Sequence, residues 1–437
     1  MRKKIITSCI CFVCMLLAYG QDTVNTYWDN KQLMSTGVKI QGKPDGWWTY
    51  FYRNGSKWTE GTFSRGEKTG TWKVWYDNGE KWEEFTLPNG SFNSWYLSGQ
   101  LEVTGNYLNG KREGEWFFYH SNGALFKKCY YTADSVQGHV IEYHDNGQIA
   151  FAGTYDNGAL HGYAIWYKKN GNKDMEGKNI HDLQDSTWIF YDETGKKGSR
   201  GNFRQGKQVG EWTYFYPDGK LWKKGNYENG KREGLWQAWF ETGTRQRQGY
   251  FANDKETGIW EVWYANGQLQ DKGSFKNGLM NGKWTGYYED GKIRYKINYK
   301  DSEKNGYYEF WNANGKKRAT GKYAHDTRVG KWKEFAQNGQ LLQKGNYIKD
   351  AKQGKWTFYD ARGRVARTQY FEQDVAQGAF VEFYPDGKKQ KQGAFKERKP
   401  HGIWNYWDTQ GKLIYSAEFD HGKKVKVFLQ KDGNAPF

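Results

Sequence analysis

Four kinds of side chain in this sequence invite a chemical reading: histidines, acidic pairs, a lone cysteine, and aromatic rings spaced among lysines. His120 and His144 stand 24 residues apart, with His139 and His161 near them in sequence. If they sit on successive strand pairs they are roughly 9–10 Å apart, too far to share an ion held at about 2 Å. No metal site is expected. Glu83 with Glu84, or Asp185, could serve as acid and base, but an open sheet gives them no cleft. Beyond residue 20 the one cysteine is Cys129, which excludes a disulfide framework and a cysteine metal cluster. It stands where a glycine recurs elsewhere, so it is read as a small buried residue. Beyond residue 20 there is also no phosphate-binding glycine loop, G-x-S-x-G, H-E-x-x-H or C-x-x-C. The expectation is a protein that is not an enzyme, with no catalytic residue and no cofactor.

The glycines, rings and lysines obey a period. Units start at Gly46, Gly70, Gly90, Gly114, Gly138, Gly162, Ser186, Gly210 and on to Gly402, 16 in all, every step being 24 residues except the 20 from Gly70 to Gly90. Counting each start as position 0, position 9 is always glycine and position 5 always aromatic, from Phe51, Trp75 and Trp95 to Phe383 and Trp407. A period of this size marks a repeat architecture in which each unit contacts mainly its neighbours. Aromatic residues make up 19% of the chain, which argues against disorder, and only 6 prolines interrupt it, as a continuous sheet requires. The expected fold is all-β: about 16 stacked β-hairpins forming an elongated, twisted antiparallel sheet.

Within the unit from Gly210, Trp212–Tyr216 reads as one strand and Lys220–Tyr227 as the next. Asp218-Gly219 is expected to join them as a two-residue type I′ turn, and Asn229-Gly230 to turn the chain again. That pairing sets position 2 across from position 15, so Trp212 would cover Gly225, and position 5 across from position 12. One face then carries Trp212, Leu221, Gly225 and Tyr227 as the core. The other carries Phe215 and Trp222 with lysines at position 10 (Lys196, Lys220, Lys292, Lys316, Lys388, Lys412) and position 14 (Lys128, Lys224, Lys272, Lys296, Lys344). The unit from Gly70 lacks four residues, so the sheet should shorten or kink there. The unit from Gly162 is irregular, with Asn179 for an aromatic and Ser186 for a glycine.

Residues 1–20 read as an export signal: Arg2, Lys3 and Lys4, an apolar run Ile5–Leu17, and Ala18-Tyr19-Gly20 before a cleavage point at Gln21. The run is short for a membrane span, and Ile6-Thr7-Ser8-Cys9 offers a weaker lipid-anchor alternative. The expected location is periplasmic or extracellular. Losing this segment removes three cations and no acid from a formal charge of +17, so the chain stays basic and suited to acidic partners. Residues 21–45 read as a degenerate N-terminal cap, 46–422 as the array, and 423–437 as a C-terminal cap whose Lys423, Lys424 and Lys426 guard an edge.

The segments Gly105–Trp116 and Gly225–Trp236, GNYLNGKREGEW and GNYENGKREGLW, carry a pattern that resembles the variant MORN repeat, whose bacterial members are often grouped as antitoxin-like. The resemblance spans about 46–422. It implies stacked hairpins with roles in scaffolding, protein contact or lipid contact, and no catalytic residues. The antitoxin label fits poorly with export, since a secreted protein does not meet a cytoplasmic toxin. A looser, compositional likeness links the chain to aromatic cell-wall-binding repeats.

These readings converge on an exported scaffold that binds a protein or other macromolecule through an extended basic, aromatic face. The alternative is an envelope module for a glycan, an anionic polymer or phospholipid head groups at a membrane surface. Export argues against nucleic acid, although aromatic and basic residues together suit single strands. The expected ligand patch is the N-terminal cluster Phe51, Trp58, Trp75, Trp82 and Trp95, with Phe51 beside Trp58 and Trp75 beside Trp82.

Overall fold

The computed structural model describes residues 22–431. Among them 36 strands form one antiparallel sheet, and no helix occurs. The export segment and its cleavage point lie outside the described residues. Contacts divide the chain into two compact units, one running to Lys196 and including Phe203–Gly206, the other made of Lys197–Asn202 and the residues from Lys207 onward.

The repeat is clearest in the second unit, in the strands Lys207–Phe215, Leu221–Glu228 and Lys231–Trp239. The first starts before Gly210, so the repeat glycine lies inside a strand rather than at a break. Gly234, the next repeat glycine, has φ +68°, and the register slips beside it between Lys224 and Asn226. It is a bulge glycine, placed where an L side chain would be strained. The type I′ turn is at Asn229-Gly230, with φ values of 50° and 82°.

The expected type I′ turn at Asp218-Gly219 is not formed. Only Gly219 of that pair has positive φ. Gly219 N–H donates to Tyr216 O at 2.8 Å, and Tyr216 N–H to Lys220 O at 2.8 Å. Pro217 suits the second place of a type I turn, and the left-handed Gly219 closes it with a bulge. Asp218 serves the turn through its side chain, whose Oδ1 accepts from Lys220 N–H at 2.9 Å.

That bulge moves the register. Trp212 pairs with Gly225 as expected, and Tyr214 with Lys223, but Phe215 then pairs with Leu221 rather than Trp222. One extra residue on the second strand sends Leu221 to the face of Phe215 and Trp222 to the face of Trp212. The expected faces therefore exchange these two residues. Trp222 accordingly packs edge-on to Tyr214, with centroids 6.3 Å apart.

The core is an aromatic ladder on the position 2 face. In the second unit Tyr227, Trp236, Phe251, Trp260, Phe275 and Trp284 alternate edge to face, with centroids 5.2–6.0 Å apart and interplanar angles of 77–90°. Each tryptophan lies over a glycine, because only a residue without Cβ leaves room for the ring. The covered glycine lies on the strand before the tryptophan rather than the strand after it: Trp212 covers Gly201, and Gly225 lies under Trp236. In the second unit these indole N–H groups reach back to a carbonyl, as from Trp236 to Asn226 O at 3.1 Å.

In the first unit the strands Asp22–Tyr27 and Leu33–Ile40 already follow the repeat, with Gly37 under Trp48. The sheet shortens where four residues are missing: Lys81–Leu87 and Gly90–Trp95 have seven and six residues, against eight and nine in Leu101–Leu108 and Lys111–Tyr119. Cys129 is 1% exposed and belongs to a cluster with Trp116, Tyr131 and Val140. Burial pushes its thiol pKa up, which keeps it an unreactive core residue. Ser186 adopts the glycine conformation at φ 58°, and Asn179 is buried.

Candidate binding surface

Successive turns are stapled together along the sheet margin. Tyr52, Tyr216, Tyr264 and Tyr288, all at position 6, donate to the position 5 carbonyl of the next repeat at 2.6–2.9 Å. His120 and His144 take the same role, each Nε2 lying 2.9 Å from Tyr143 O and Tyr167 O. The asparagines at position 8 add a second line of bonds, as from Asn266 Nδ2 to Glu289 O at 3.0 Å. The frequent Asn at this place thus links repeats.

The ladder face is roofed by cations. The guanidinium groups of Arg112, Arg232 and Arg328 lie 4.0–4.1 Å from the ring centroids of Tyr131, Phe251 and Tyr347. Asp134, Asp254 and Asp350 hold them, with Nε–Oδ1 distances of 3.2, 2.9 and 2.8 Å. The Asp254 carboxyl is held below its ordinary range first by the Arg232 backbone N–H and then by its side chain.

The opposite face has a different character. Positions 1 and 16 there expose Leu235, Tyr250 and Ile259 at 37, 48 and 53%. Leu235 pairs directly with Tyr250, and Tyr250 with Thr257 on the Ile259 strand, so the three form one apolar patch. Tyr307 and Ile403 repeat the pattern in the second unit, and Trp47 and Tyr163 in the first. The position 5 rings share this face and carry cations: Lys57 over Trp75 at 5.1 Å, Lys81 over Trp95 at 4.8 Å, Arg245 over Trp263 at 5.5 Å. Many of the lysines have acids beside them. Lys128, Lys224 and Lys272 at position 14 pair with Glu115, Glu211 and Glu261, and Lys220, Lys292 and Lys388 at position 10 pair with the turn aspartates Asp218, Asp290 and Asp386. Electrostatically the face is a mosaic rather than a continuous basic strip.

The five rings expected to make one N-terminal patch are divided between the faces. Phe51 pairs with Lys57, and Trp75 with Lys81, through the same turn bulge that displaces Phe215. Trp95 pairs with Leu101. Trp58 instead stands edge-on to Tyr50 at 6.3 Å, and Trp82 stacks on Tyr76 at 5.4 Å. Trp58 and Trp82 do come together, along the wall of a ladder-face cavity of about 300 Å³ that Trp72, Phe63, Lys68 and Glu83 also line. Burial pulls the Lys68 pKa down and pushes the Glu83 pKa up, and each opposes the other's shift. Glu84, the second carboxylate of that pair, faces away and meets Lys81 at 2.5 Å.

One cluster was not visible in the linear spacing. His401 and His421 both turn Nδ1 to Asp420 Oδ1, at 3.2 and 2.6 Å, and the three ligating atoms lie within 4.8 Å of one another. They meet because position 23 of one repeat lies beside positions 18 and 19 of the next.

This geometry defines a class: an all-β hairpin-repeat protein with one face spent on its own core and the other open. The chain carries the MORN repeat variant, matched over residues 68–86, 112–133, 136–157, 208–229, 256–277, 280–301 and 328–349. It is a MORN-variant repeat protein, and each match begins two residues before a repeat glycine. No curated protein sequence matches the chain. Among solved structures, the crystal structure of TcdB2-TccC3-Cdc42 aligns with 94% of this chain at 11% identity and a TM-score of 0.15. The Tc holotoxin pore of Photorhabdus luminescens with the TccC3-D651A mutation aligns with 94% of it at 11% identity and a TM-score of 0.15. The chain spans about a quarter of the length of those chains, 27% and 26%. Likeness at this level says nothing about function.

Proposed function

We propose that this protein is an exported, non-enzymatic scaffold that holds a protein partner on the face opposite its aromatic ladder. The observation that carries the reading is the exposed patch Leu235, Tyr250 and Ile259. The ladder already buries the rings the fold needs, so these side chains are not required for packing on the far face. Apolar residues aligned on one exposed surface suit a protein interface. The ion pairs among its lysines favour a protein over an anionic polymer, because the cations that would hold phosphates or uronates already have carboxylates beside them. Glycan and lipid head-group binding become outcomes of the test.

The test is retention from an envelope extract by the immobilised chain, compared with Leu235→Ser/Ile259→Ser. Both sites are surface positions, so each change should leave stability within about 0.5 kcal/mol. A protein retained by the wild type at 1 M salt and lost by the variant supports the reading. Retention that vanishes steeply with salt, or that the variant keeps, refutes it.

A further inference from the structure

The ladder face of the second unit holds a cavity whose charges do not balance. Position 4 carries a large ring in many repeats, among them Tyr50, Phe118, Tyr214, Phe358 and Tyr406. At the corresponding place in the unit from Gly234 the residue is Ala238. The missing ring leaves a cavity of about 230 Å³ floored by Trp236, Phe251 and Trp260. Ala238 pairs with Lys223 on one neighbouring strand and with Arg247 on the other. All three side chains share a face, so two cations flank the gap, and Arg232 adds a third at the rim.

No carboxylate lines this cavity. Arg232 has Asp254 as its counter-ion. Neither Lys223 nor Arg247 makes an ion pair among the described residues, whereas Lys224, next in sequence and on the other face, has Glu211. Lys223 lies 4.4 and 4.3 Å from the ring centroids of Tyr214 and Trp222. Its pKa is lowered by burial first, then by the charges of Arg247 and Arg232. Lys223 is half-buried and Arg247 exposed; like charges set side by side without a counter-ion repel, and an anion placed between them relieves that repulsion. The cavity at Trp58 and Trp82 shows the balanced arrangement, where Lys68 faces Glu83.

We propose that the Ala238 cavity binds an oxyanion substituent, a carboxylate, sulfate or phosphate, carried on a small ring of hexose size. The Arg247 guanidinium offers a planar fork that matches two oxygens of such a group, and Lys223 supplies a second charge from the other side. The ring rests against Trp236, which floors the gap left by Ala238 and suits apolar C–H surfaces. The site is on the opposite face from the patch of Leu235, Tyr250 and Ile259, so its success or failure is independent of the protein-docking reading.

Calorimetric titration of the full chain tests this with glucuronate, glucose 6-phosphate, inorganic phosphate, inorganic sulfate and glucose. Glucuronate or glucose 6-phosphate should bind at least tenfold tighter than the inorganic ions, and neutral glucose should not bind. Arg247→Gln and Lys223→Gln should each weaken binding about tenfold. Ala238→Tyr restores the ring present in other repeats, so it should abolish binding while the melting temperature holds or rises. Binding by none of the anions would overturn the proposal, as would binding that Arg247→Gln and Ala238→Tyr leave unchanged. Equal affinity for inorganic phosphate and glucose 6-phosphate would reduce the cavity to a free-ion site and overturn the role given to the rings.

Discussion

Replacing Gly249 with alanine probes the ladder at one rung. Gly249 has an ordinary strand φ, so the backbone tolerates alanine, but a Cβ there would lie within 2.5 Å of three atoms of the Trp260 indole. The ring must shift. It then loosens edge-to-face contacts to Phe251 and Phe275, now at 5.2 and 5.8 Å, and its hydrogen bond to Tyr250 O at 3.2 Å. Overpacking costs about 1–3 kcal/mol, each ring pair about 0.5–1.5, and the hydrogen bond about 1. Partial loss of these contacts gives a local destabilisation of about 3 kcal/mol. Trp260→Val should cost about as much, by leaving a cavity. The double substitution should cost no more than Trp260→Val alone, because the small residue makes room for the new Cβ, so the single costs fail to add by about 2–3 kcal/mol. The chain itself contains this arrangement, since Val140 stands over Cys129. Hydrogen exchange in the strands Arg245–Ala252 and Lys255–Trp263 is the assay, as a repeat array opens locally. About 3 kcal/mol is a roughly 100-fold faster exchange there. A silent Gly249→Ala, or costs that add in full, would refute the packing argument.

Other consequences follow from the same contacts. Tyr264→Phe removes the donor to Tyr287 O and should destabilise the turn margin by about 1 kcal/mol, seen as faster exchange in Leu279–Tyr287. The carboxyls of Asp134 and Asp254 are held low, first by the backbone N–H groups of Arg112 and Arg232. Their contribution is complete above the ordinary Asp pKa of about 3.9 and is lost as pH falls through the lower folded value. Acid titration should therefore loosen the turns at Asp134 and Asp254 below about pH 4, and Asp254→Asn should remove that pH dependence at its own turn. Trp58→Ala with Trp82→Ala should open the cavity at Lys68 and Glu83 while the ladder strands keep their exchange protection. Early melting of the double variant would assign those rings to the fold. N-terminal sequencing should find Gln21 first in secreted material, and full-length protein in the cytoplasm would contradict export.

The period, the hairpins and the core face were legible because turn glycines and strand aromatics recur at constant phase. The partner of each tryptophan was also present in the sequence, though only as a relation between units. All eleven position 2 tryptophans follow a repeat whose position 15 is glycine, from Gly37 and Trp48 to Gly393 and Trp404. Where position 15 is Cys129, Ile297 or Gln369, the covering residue is Val140, Tyr308 or Phe380. Pairing within the unit hid this, because the indole leans back over the preceding strand. Trp58 and Trp82 went to the wrong face for a smaller reason: a glycine in the left-handed region at position 9 implies a bulge, and one extra residue reverses every later side chain until the register recovers. The cluster at His401 depends on neighbours 19 and 20 residues away, and the cavity at Ala238 on a side chain that is missing. No motif search along one strand reaches either.

The docking face is the central claim, and site-specific photo-crosslinking tests it most directly. A benzophenone side chain at Ile259 projects from the open face, and one at Lys352 from the ladder face, where Lys352 lies 4.5 Å from the Trp356 ring centroid. On irradiation in envelope extract, the probe at Ile259 should give one discrete protein adduct that Leu235→Ser suppresses, and the probe at Lys352 should give none. Equal adducts from both probes, or an adduct from Lys352 alone, would contradict the assignment of the open face to a protein partner.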